Sequence, residues 1–311
     1  MVSPRKDPPA MTAGALPRDG LRSCPACGAG LAHWRVSIGV CRACGTASRE
    51  PEVALPDRNA HYAGYYDAVP ALSPLTAAQL SSWARSLGPF RKTGRILEIG
   101  CGAGHFLRAA QAEGFEAWGT EVSTSGLARL RAEGFRVLEG DLPALRLAES
   151  FFDAIILFEV IEHLPDPTVY LVEARRLLRD GGALLLTTPN FDSLSRRLLG
   201  DGWRVVDPEH LVLFTTRGLR GALQRAGLRV SRVDSRNVDP LEILRGLRKE
   251  ERRGDERQSR VDTCRAAVAS RPWLRVAKGG VNAALRLLQM GDTLEAWAHR
   301  GAAELPVRAR S

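Results

Sequence analysis

The chain has 311 residues, of which 44% are hydrophobic and 25% charged, and its net charge is +9. This length holds one full-size α/β domain with smaller parts beside it, and the apolar content is ample for a buried core. No stretch reaches the roughly eighteen apolar residues of a membrane span, and residues 1–20 contain Pro, Arg and Asp where a signal peptide needs an apolar run. We therefore expect a soluble cytoplasmic protein with a disordered segment at 1–20.

Four cysteines near the start of the chain form two C-x-x-C pairs, each followed by a glycine. Cys24 and Cys27 are separated from Cys41 and Cys44 by thirteen residues. Four thiolates at this spacing suit one tetrahedral zinc ion, and a unit this small needs the metal to fold. The spacing predicts a zinc ribbon over residues 21–50. Redox-active dithiols and two disulfides are the alternatives.

A short apolar strand at 96–99 leads into Gly100, Gly102 and Gly104, and a helix-like stretch follows. Glycine at these positions allows a sharp turn and lets a ligand approach main-chain N–H groups. A dinucleotide fingerprint would need a third glycine where His105 stands, so the pyrophosphate form of this loop is not matched. The pattern predicts a nucleotide-sized ligand site of another kind.

The βα rhythm continues after the loop. A strand at 115–122 ends near Glu121, about twenty residues past the glycines, where a doubly wound sheet places an acid that binds ribose hydroxyls. Ser123 is the predicted N-cap of a helix over 124–133, and a strand at 135–139 follows. Glu121 is therefore the candidate ribose ligand.

A continuous apolar strand at 152–158 is followed by the polar segment E-V-I-E-H-L-P-D-P at 159–167. The apolar composition of the strand at 152–158 is typical of a parallel strand buried on both faces. A helix over 168–179, a turn at 180–182 and a fifth strand at 183–188 complete the pattern.

These ordered motifs, over residues 60–237, resemble the class I S-adenosylmethionine (SAM) dependent methyltransferases. The resemblance implies an α/β fold with a Rossmann-like, doubly wound seven-stranded sheet. It also implies that Asp141 contacts the adenine amino group and that the backbone of Leu142 meets the ring. The residues that it implies for SAM binding are Glu98, Gly100, Cys101, Gly102, Gly104, Glu121, Val122, Asp141, Leu142 and Phe158.

Methyl transfer to a hydroxyl requires removal of a proton, and His163 is the candidate base. If 159–163 begin a helix, Glu159, Glu162 and His163 lie on one face at metal-ligand spacing. His210 lies in a segment that resembles one in metal-dependent small-RNA 2′-O-methyltransferases and 3-demethylubiquinone-type O-methyltransferases, where another histidine lies near the acceptor. The alternatives are a lone base and a site in which all four residues bind Mg²⁺.

The order of ribbon, linker and SAM domain resembles bacterial methyltransferases of glycan and lipopolysaccharide biosynthesis. In the linker, the aromatic stretch at 61–66 either begins a lid helix or packs against the sheet edge. Ribosomal RNA guanine methyltransferases share the gross order but end their zinc site with histidine, and this chain does not.

The last 71 residues carry +6 of the net charge. Residues 273–290 have apolar residues at helical spacing with basic residues among them. Such a helix can contact an anionic membrane surface or nucleic acid, or pack on the rest of the protein or at a dimer interface. The predicted organisation is a ribbon at 21–50, linker and lid helices at 51–90, the SAM domain at 91–237 and a basic helical extension at 238–311.

Together these features predict a SAM-dependent O-methyltransferase that acts on a small or lipid-linked acceptor such as a sugar hydroxyl. Two alternatives from other classes stay open. One is an RNA methyltransferase that uses the ribbon and the basic tail to hold RNA, and the other is a non-catalytic SAM-binding scaffold.

Overall fold

The part of the chain described by the computed structural model comprises residues 23–35, 38–49, 72–203, 205–238, 243–244, 280 and 283–301. The predicted disordered segment at 1–20, the aromatic stretch at 61–66 and much of the basic extension lie outside the described residues. No helix among the described residues is both long and apolar enough to cross a membrane.

Eleven strands and six α-helices lie wholly within the described residues. The strands are β1 Leu31–Arg35, β2 Ile38–Cys41, β3 Ala47–Arg49, β4 Arg95–Ile99, β5 Glu116–Glu121, β6 Arg136–Glu139, β7 Phe152–Phe158, β8 Leu178–Pro189, β9 Val212–Leu213, β10 Arg229–Arg236 and β11 Thr293–His299. The helices are α1 Pro74–Ser86, α2 His105–Ala112, α3 Thr124–Ala132, α4 Pro167–Leu177, α5 Leu194–Leu199 and α6 Thr216–Arg225.

The larger sheet has seven strands in the order β10-β11-β8-β7-β4-β5-β6. Strands β6, β5, β4, β7 and β8 pair in parallel, while β11 pairs antiparallel with both β8 and β10. This confirms the predicted doubly wound seven-stranded sheet. Because the five parallel strands end at one edge, the loops after β4, β5, β7 and β8 come together there.

Both faces of the sheet are covered by helices, as β7 requires, since all its residues but Phe158 are buried. One apolar cluster joins Ile155 and Leu157 to Leu171 of α4 and Leu219 of α6. A second cluster packs Ile156 against residues of α1, α2 and α3 on the other face. The core is therefore a three-layer sandwich in which helices on both faces pack against the central strands, and the C-terminal ends of these strands form the edge where the loops meet.

Strand β11 departs from the helical extension predicted for 238–311. Thr293–His299 form a strand between β8 and β10, although residues 283–288 are helical as expected. Its buried Glu295 accepts hydrogen bonds from the indoles of Trp83 and Trp297 and pairs with Arg232 and Arg236. The sheet therefore extends beyond the predicted boundary at 237.

The cysteine segment forms a second, four-stranded sheet in the order β1-β2-β3-β9. Its outer strand β9 lies between β8 and α6 in the sequence and so comes from the methyltransferase-like part. Ala47 pairs with Leu213, and Ser48 pairs with Val212. The predicted ribbon is thus joined to the large domain by shared β-structure.

Two local predictions differ from the structure. Helix α4 ends at Leu177 and leads directly into β8, so the predicted turn at 180–182 lies inside a strand that is bulged opposite β7. The helix start at 159–163, on which the metal-ligand spacing was conditional, is instead a 3₁₀ turn, Ile161–His163, preceded by Glu159 with φ of 53°. Left-handed backbone at Glu159 breaks the helical face on which the i, i+3, i+4 spacing relied.

Candidate active site and metal centre

The four ribbon cysteines converge on one point. Their Sγ atoms all lie within 4.8 Å of one another, with 3.6 Å between Cys24 and Cys44 and 3.5 Å between Cys27 and Cys41. These distances exceed an S–S bond, so all four are free thiols. The two C-x-x-C turns are alike, since Gly28 and Gly45 each donate to the carbonyl of the first cysteine at 2.8 Å. The cluster fits one tetrahedral metal ion.

The glycine loop leaves β4 with positive φ at Gly100, Gly102 and Gly104. A Cβ at Gly100 would lie 2.7 Å from Val160 Cγ2, and one at Gly104 would lie 2.2 Å from a methyl group of Leu130. Packing within the protein therefore already requires two of these glycines. The contact with Val160 also brings the loop after β7 against the glycine loop.

Glu121 lies at the end of β5 beside this loop. Its Oε2 accepts from the Gly102 amide at 2.7 Å, and its Oε1 accepts from the amides of Val122 and Ser123. A carboxylate has about four acceptor positions, so one remains for a ligand hydroxyl. Glu98, on β4, is also buried, and its Oε2 has no hydrogen-bond partner among the described residues. The unpartnered Glu98 oxygen and the glycine loop with its positive φ angles fit a polar ligand at the place predicted for SAM.

The other predicted SAM contacts lie around the same edge. Asp141 is exposed and Leu142 is buried at the end of β6, while Cys101 is buried inside the loop. Phe158, at the tip of β7, stacks on Trp83 of α1 with 4.5 Å between ring centroids. Trp83 was missed by the sequence analysis because it lies in the region predicted only as linker and lid.

The loop after β7 carries two different carboxyl groups. Glu162 is 1% exposed, accepts from the Thr188 hydroxyl at 2.9 Å, and leaves Oε1 without a hydrogen-bond partner in the described part of the chain. Burial and the nearby charge of Glu159 hold the pKa of Glu162 well above its usual range. Glu159 is exposed to solvent, yet desolvation by the surrounding protein raises its pKa as well.

His163 and His210 face one another with 4.7 Å between ring centroids. The Nδ1 of His163 lies 3.0 Å from the carbonyl oxygen of Glu209, and the Nδ1 of His210 lies 2.7 Å from that of Val205. Because a carbonyl oxygen only accepts, each Nδ1 must carry the proton. In the neutral rings, both Nε2 atoms therefore keep a lone pair.

The surrounding protein keeps the His163 imidazole uncharged. Burial, followed by the neighbouring His210, lowers the pKa of His163 to about 4. The His163 ring is therefore neutral at neutral pH and does not form an ion pair with Glu162, whose own pKa is raised by burial and by Glu159. A neutral imidazole with a free Nε2 can accept a proton or bind a cation.

Three of the four predicted acceptor-site residues come together. Ligand atoms of Glu162, His163 and His210 all lie within 4.8 Å of one another, whereas Glu159 is not part of this group. The contacts that the sequence analysis missed are Thr188 to Glu162 and the turn closed by Asp207, whose Oδ1 accepts from the Glu209 amide at 2.9 Å. The first has no sequence signal, because it joins β8 to the loop after β7, whereas the second is a local Asx turn of the kind that an Asp-Pro sequence indicates.

A family model for a methyltransferase domain matches residues 76–233, just over half of the chain. The chain belongs to this family of methyltransferase domains. A ubiquinone biosynthesis O-methyltransferase of Dinoroseobacter shibae is 35% identical over 120 residues, which cover 37% of this chain and 48% of that protein. A malonyl-[acyl-carrier protein] O-methyltransferase of Serratia marcescens is 30% identical over 152 residues, which cover 48% of this chain and 57% of that protein.

The chain thus spans about half the length of the curated relatives that it matches. Among solved structures, a SAM-dependent methyltransferase from Archaeoglobus fulgidus is similar with a TM-score of 0.49 and 19% identity, over 78% of this chain and 100% of that one.

Proposed function

We propose that this protein transfers the methyl group of SAM to a hydroxyl oxygen of a small or lipid-linked acceptor such as a sugar, with His163 as general base. The observation that carries the proposal is the histidine pair, in which the Nδ1 of His163 lies against a carbonyl oxygen, so that Nε2 keeps a lone pair in the neutral ring. Val160, three residues before His163, packs onto Gly100. The relatives named as O-methyltransferases support oxygen as the methylated atom.

Bound SAM supplies an electrophilic methyl group on a sulfonium, so the protein must align the acceptor and take its proton. Glu121, the glycine loop and Glu98 would hold the cofactor, with Asp141 and Leu142 at its adenine end. A base with a pKa of about 4 is unprotonated throughout the physiological range. It accepts the proton as the new C–O bond forms, because the oxygen becomes strongly acidic at that point.

We also propose that Cys24, Cys27, Cys41 and Cys44 hold one structural zinc ion. The convergence of four free thiols supports this, because four cysteine sulfur atoms gathered at one point match the tetrahedral ligand set of a structural zinc site.

The test is a methyl-transfer assay with labelled SAM over a panel of nucleotide sugars, lipid-linked glycans, quinone phenols and RNA. We expect a product that gains one methyl group at an oxygen, identified by mass spectrometry and by its stability to mild base. Label that enters RNA alone, or only the nitrogen atoms of an acceptor, would reject the proposal. Tight SAM binding without transfer to any member would favour the scaffold alternative.

A further inference from the structure

The ribbon ends in a strand that pairs with the chain directly after His210. Besides the two residue pairs of β3 and β9, the Arg49 amide donates to the carbonyl of Leu211 at 2.8 Å. Strand β9 has only two residues, so it depends on this partner for its conformation.

Leu211 is hydrogen-bonded on both sides of its backbone. Its carbonyl accepts from Arg49 of the ribbon, and its amide donates to the carbonyl of Glu162 at 2.7 Å. One residue therefore connects the ribbon to the 3₁₀ turn that carries Glu162 and His163.

Arg49 also reaches the turn that presents His210. Its guanidinium donates to the carbonyl of Asp207 at 3.3 Å, and the same carbonyl accepts from the His210 amide at 3.1 Å. The ribbon therefore contacts residues on both sides of His210.

The cysteine turns are packed into the core of the large domain. Cys24, Cys41 and Cys44 belong to the same buried cluster as Leu211 and Phe214. In addition, the Thr215 hydroxyl donates to the Cys44 carbonyl at 2.6 Å, and a Cβ on Gly218 would overlap the Thr46 hydroxyl. A shift of the cysteine turns would thus be passed to residues 207–215 through close packing and hydrogen bonds.

We infer that the ribbon is a positioning element of the acceptor site: with its cysteines gathered on one metal ion, β3 and Arg49 hold residues 207–213 so that the His210 ring lies against His163. The inference rests on the proposed function only in assigning this histidine pair to the acceptor. A ribbon of this size loses its fold with its metal, so the metal controls the histidine geometry from a distance.

The test uses the full chain with isotope-labelled histidine and the nuclear Overhauser contact between the ring protons of His163 and His210. It is measured with zinc, after zinc removal by chelation, and after zinc is returned. Zinc content and calorimetric SAM affinity are measured on each sample. We expect the ring contact to be lost without zinc and to return with it, while the Kd for SAM changes less than about three-fold.

Variants of Arg49 distinguish the effect of its hydrogen bonds to residues 207–211 from the effect of zinc binding. Arg49→Pro removes the amide donor and the guanidinium together, whereas Arg49→Gln keeps the amide. The matched control is Arg42→Gln, which removes the same charge from an exposed ribbon position between Cys41 and Cys44. We expect loss of the ring contact in Arg49→Pro with zinc still bound, a weakened contact in Arg49→Gln and no change in Arg42→Gln.

A ring contact that persists in zinc-free protein with intact SAM binding would overturn the inference. If Arg49→Pro does not fold, the reversible zinc experiment on the natural chain decides alone. Failure of the proposed function is distinguishable, because a protein that methylates no hydroxyl could still show a zinc-dependent contact between the two rings.

Discussion

The Gly102 amide donates to Glu121 Oε2 at 2.7 Å, so a carboxylate at the end of β5 holds the turn that leaves β4. Glu121 therefore has two roles in the proposed cofactor site: it fixes the loop, and it offers its remaining acceptor position to a ribose hydroxyl.

Replacing Glu121 with alanine should weaken SAM binding by about 1.5 to 3 kcal/mol, the usual loss for a hydrogen bond that involves a charged partner. Calorimetric titration measures the change. Glu139→Ala is the matched control, since Glu139 ends the neighbouring strand β6 and is 57% exposed. Equal SAM affinities in the two variants would show that Glu121 does not bind the cofactor.

The cysteine cluster predicts about one zinc per purified chain, measured by atomic absorption. Cys41→Ser should lose the ion and lower the thermal midpoint of the whole protein, because three of the cysteines lie in the core shared with α4 and α6. Two separate unfolding transitions, with only the first displaced, would instead mean that the ribbon folds independently. Metal-free protein with unchanged stability would contradict the zinc proposal.

With His163 as a lone base, His163→Ala should lower kcat about 10²- to 10⁴-fold in protein whose ribbon remains loaded with zinc. Glu162→Gln should cost less than about ten-fold, because the amide oxygen can still accept from Thr188 and a lone base at His163 does not require a charge on residue 162. A severe loss in Glu162→Gln, together with rescue of chelated enzyme by Mg²⁺, would favour a metal bound by Glu162, His163 and His210.

The depressed pKa of His163 makes a prediction about acid stability. The unfolded chain binds a proton on this ring near pH 6.5, but the folded protein does so only near pH 4. Stability from this group is therefore complete above about pH 6.5 and is lost as the pH falls towards 4, by about 2 to 3 kcal/mol. In urea titrations across this window, His163→Asn should lose less stability than the natural protein. If the free energy of unfolding fell equally with pH in His163→Asn and in the natural protein, the pKa of His163 would not be lowered in the folded state.

Glu295→Ala should destabilise the protein by about 1 to 3 kcal/mol, because it removes the buried carboxylate that accepts from the indoles of Trp83 and Trp297 and pairs with Arg232 and Arg236. Urea unfolding measures this cost. In Glu116→Ala, which removes an exposed carboxylate that pairs with Arg95 and Arg136, the change should stay below about 1 kcal/mol. Similar losses of unfolding free energy in the two variants would show that a buried carboxylate at Glu295 contributes no more to stability than an exposed one.

Local sequence patterns predicted much of the large sheet. Strand β7 coincides with its predicted limits, and Ser123 caps α3 by accepting from the Gly126 amide, as expected. Such features depend on neighbouring residues, so a single sequence reveals them.

The remaining features depend on contacts distant in sequence. Strand β11 contains the buried polar residues Glu295 and His299, which hydrogen-bond to side chains of α1 and of a neighbouring strand. Because of these polar residues, the composition of β11 is not that of a typical central strand. Strand β9 is too short for any periodicity, and the left-handed backbone at Glu159 has no residue signature outside glycine and asparagine. The placement of His210 against His163 followed from these contacts and not from spacing.

The position of β11 between β8 and β10 also constrains how the protein is made. During synthesis β8 and β10 emerge first, and residues 237–292 must follow before the strand that separates them is available. Until then the edges of both strands are open to pairing with another chain, and β8 carries a long buried apolar run. The nascent chain therefore cannot complete its central sheet from the N-terminus onward, and we expect recovery of folded protein to depend on chaperones that shield the open edge of β8.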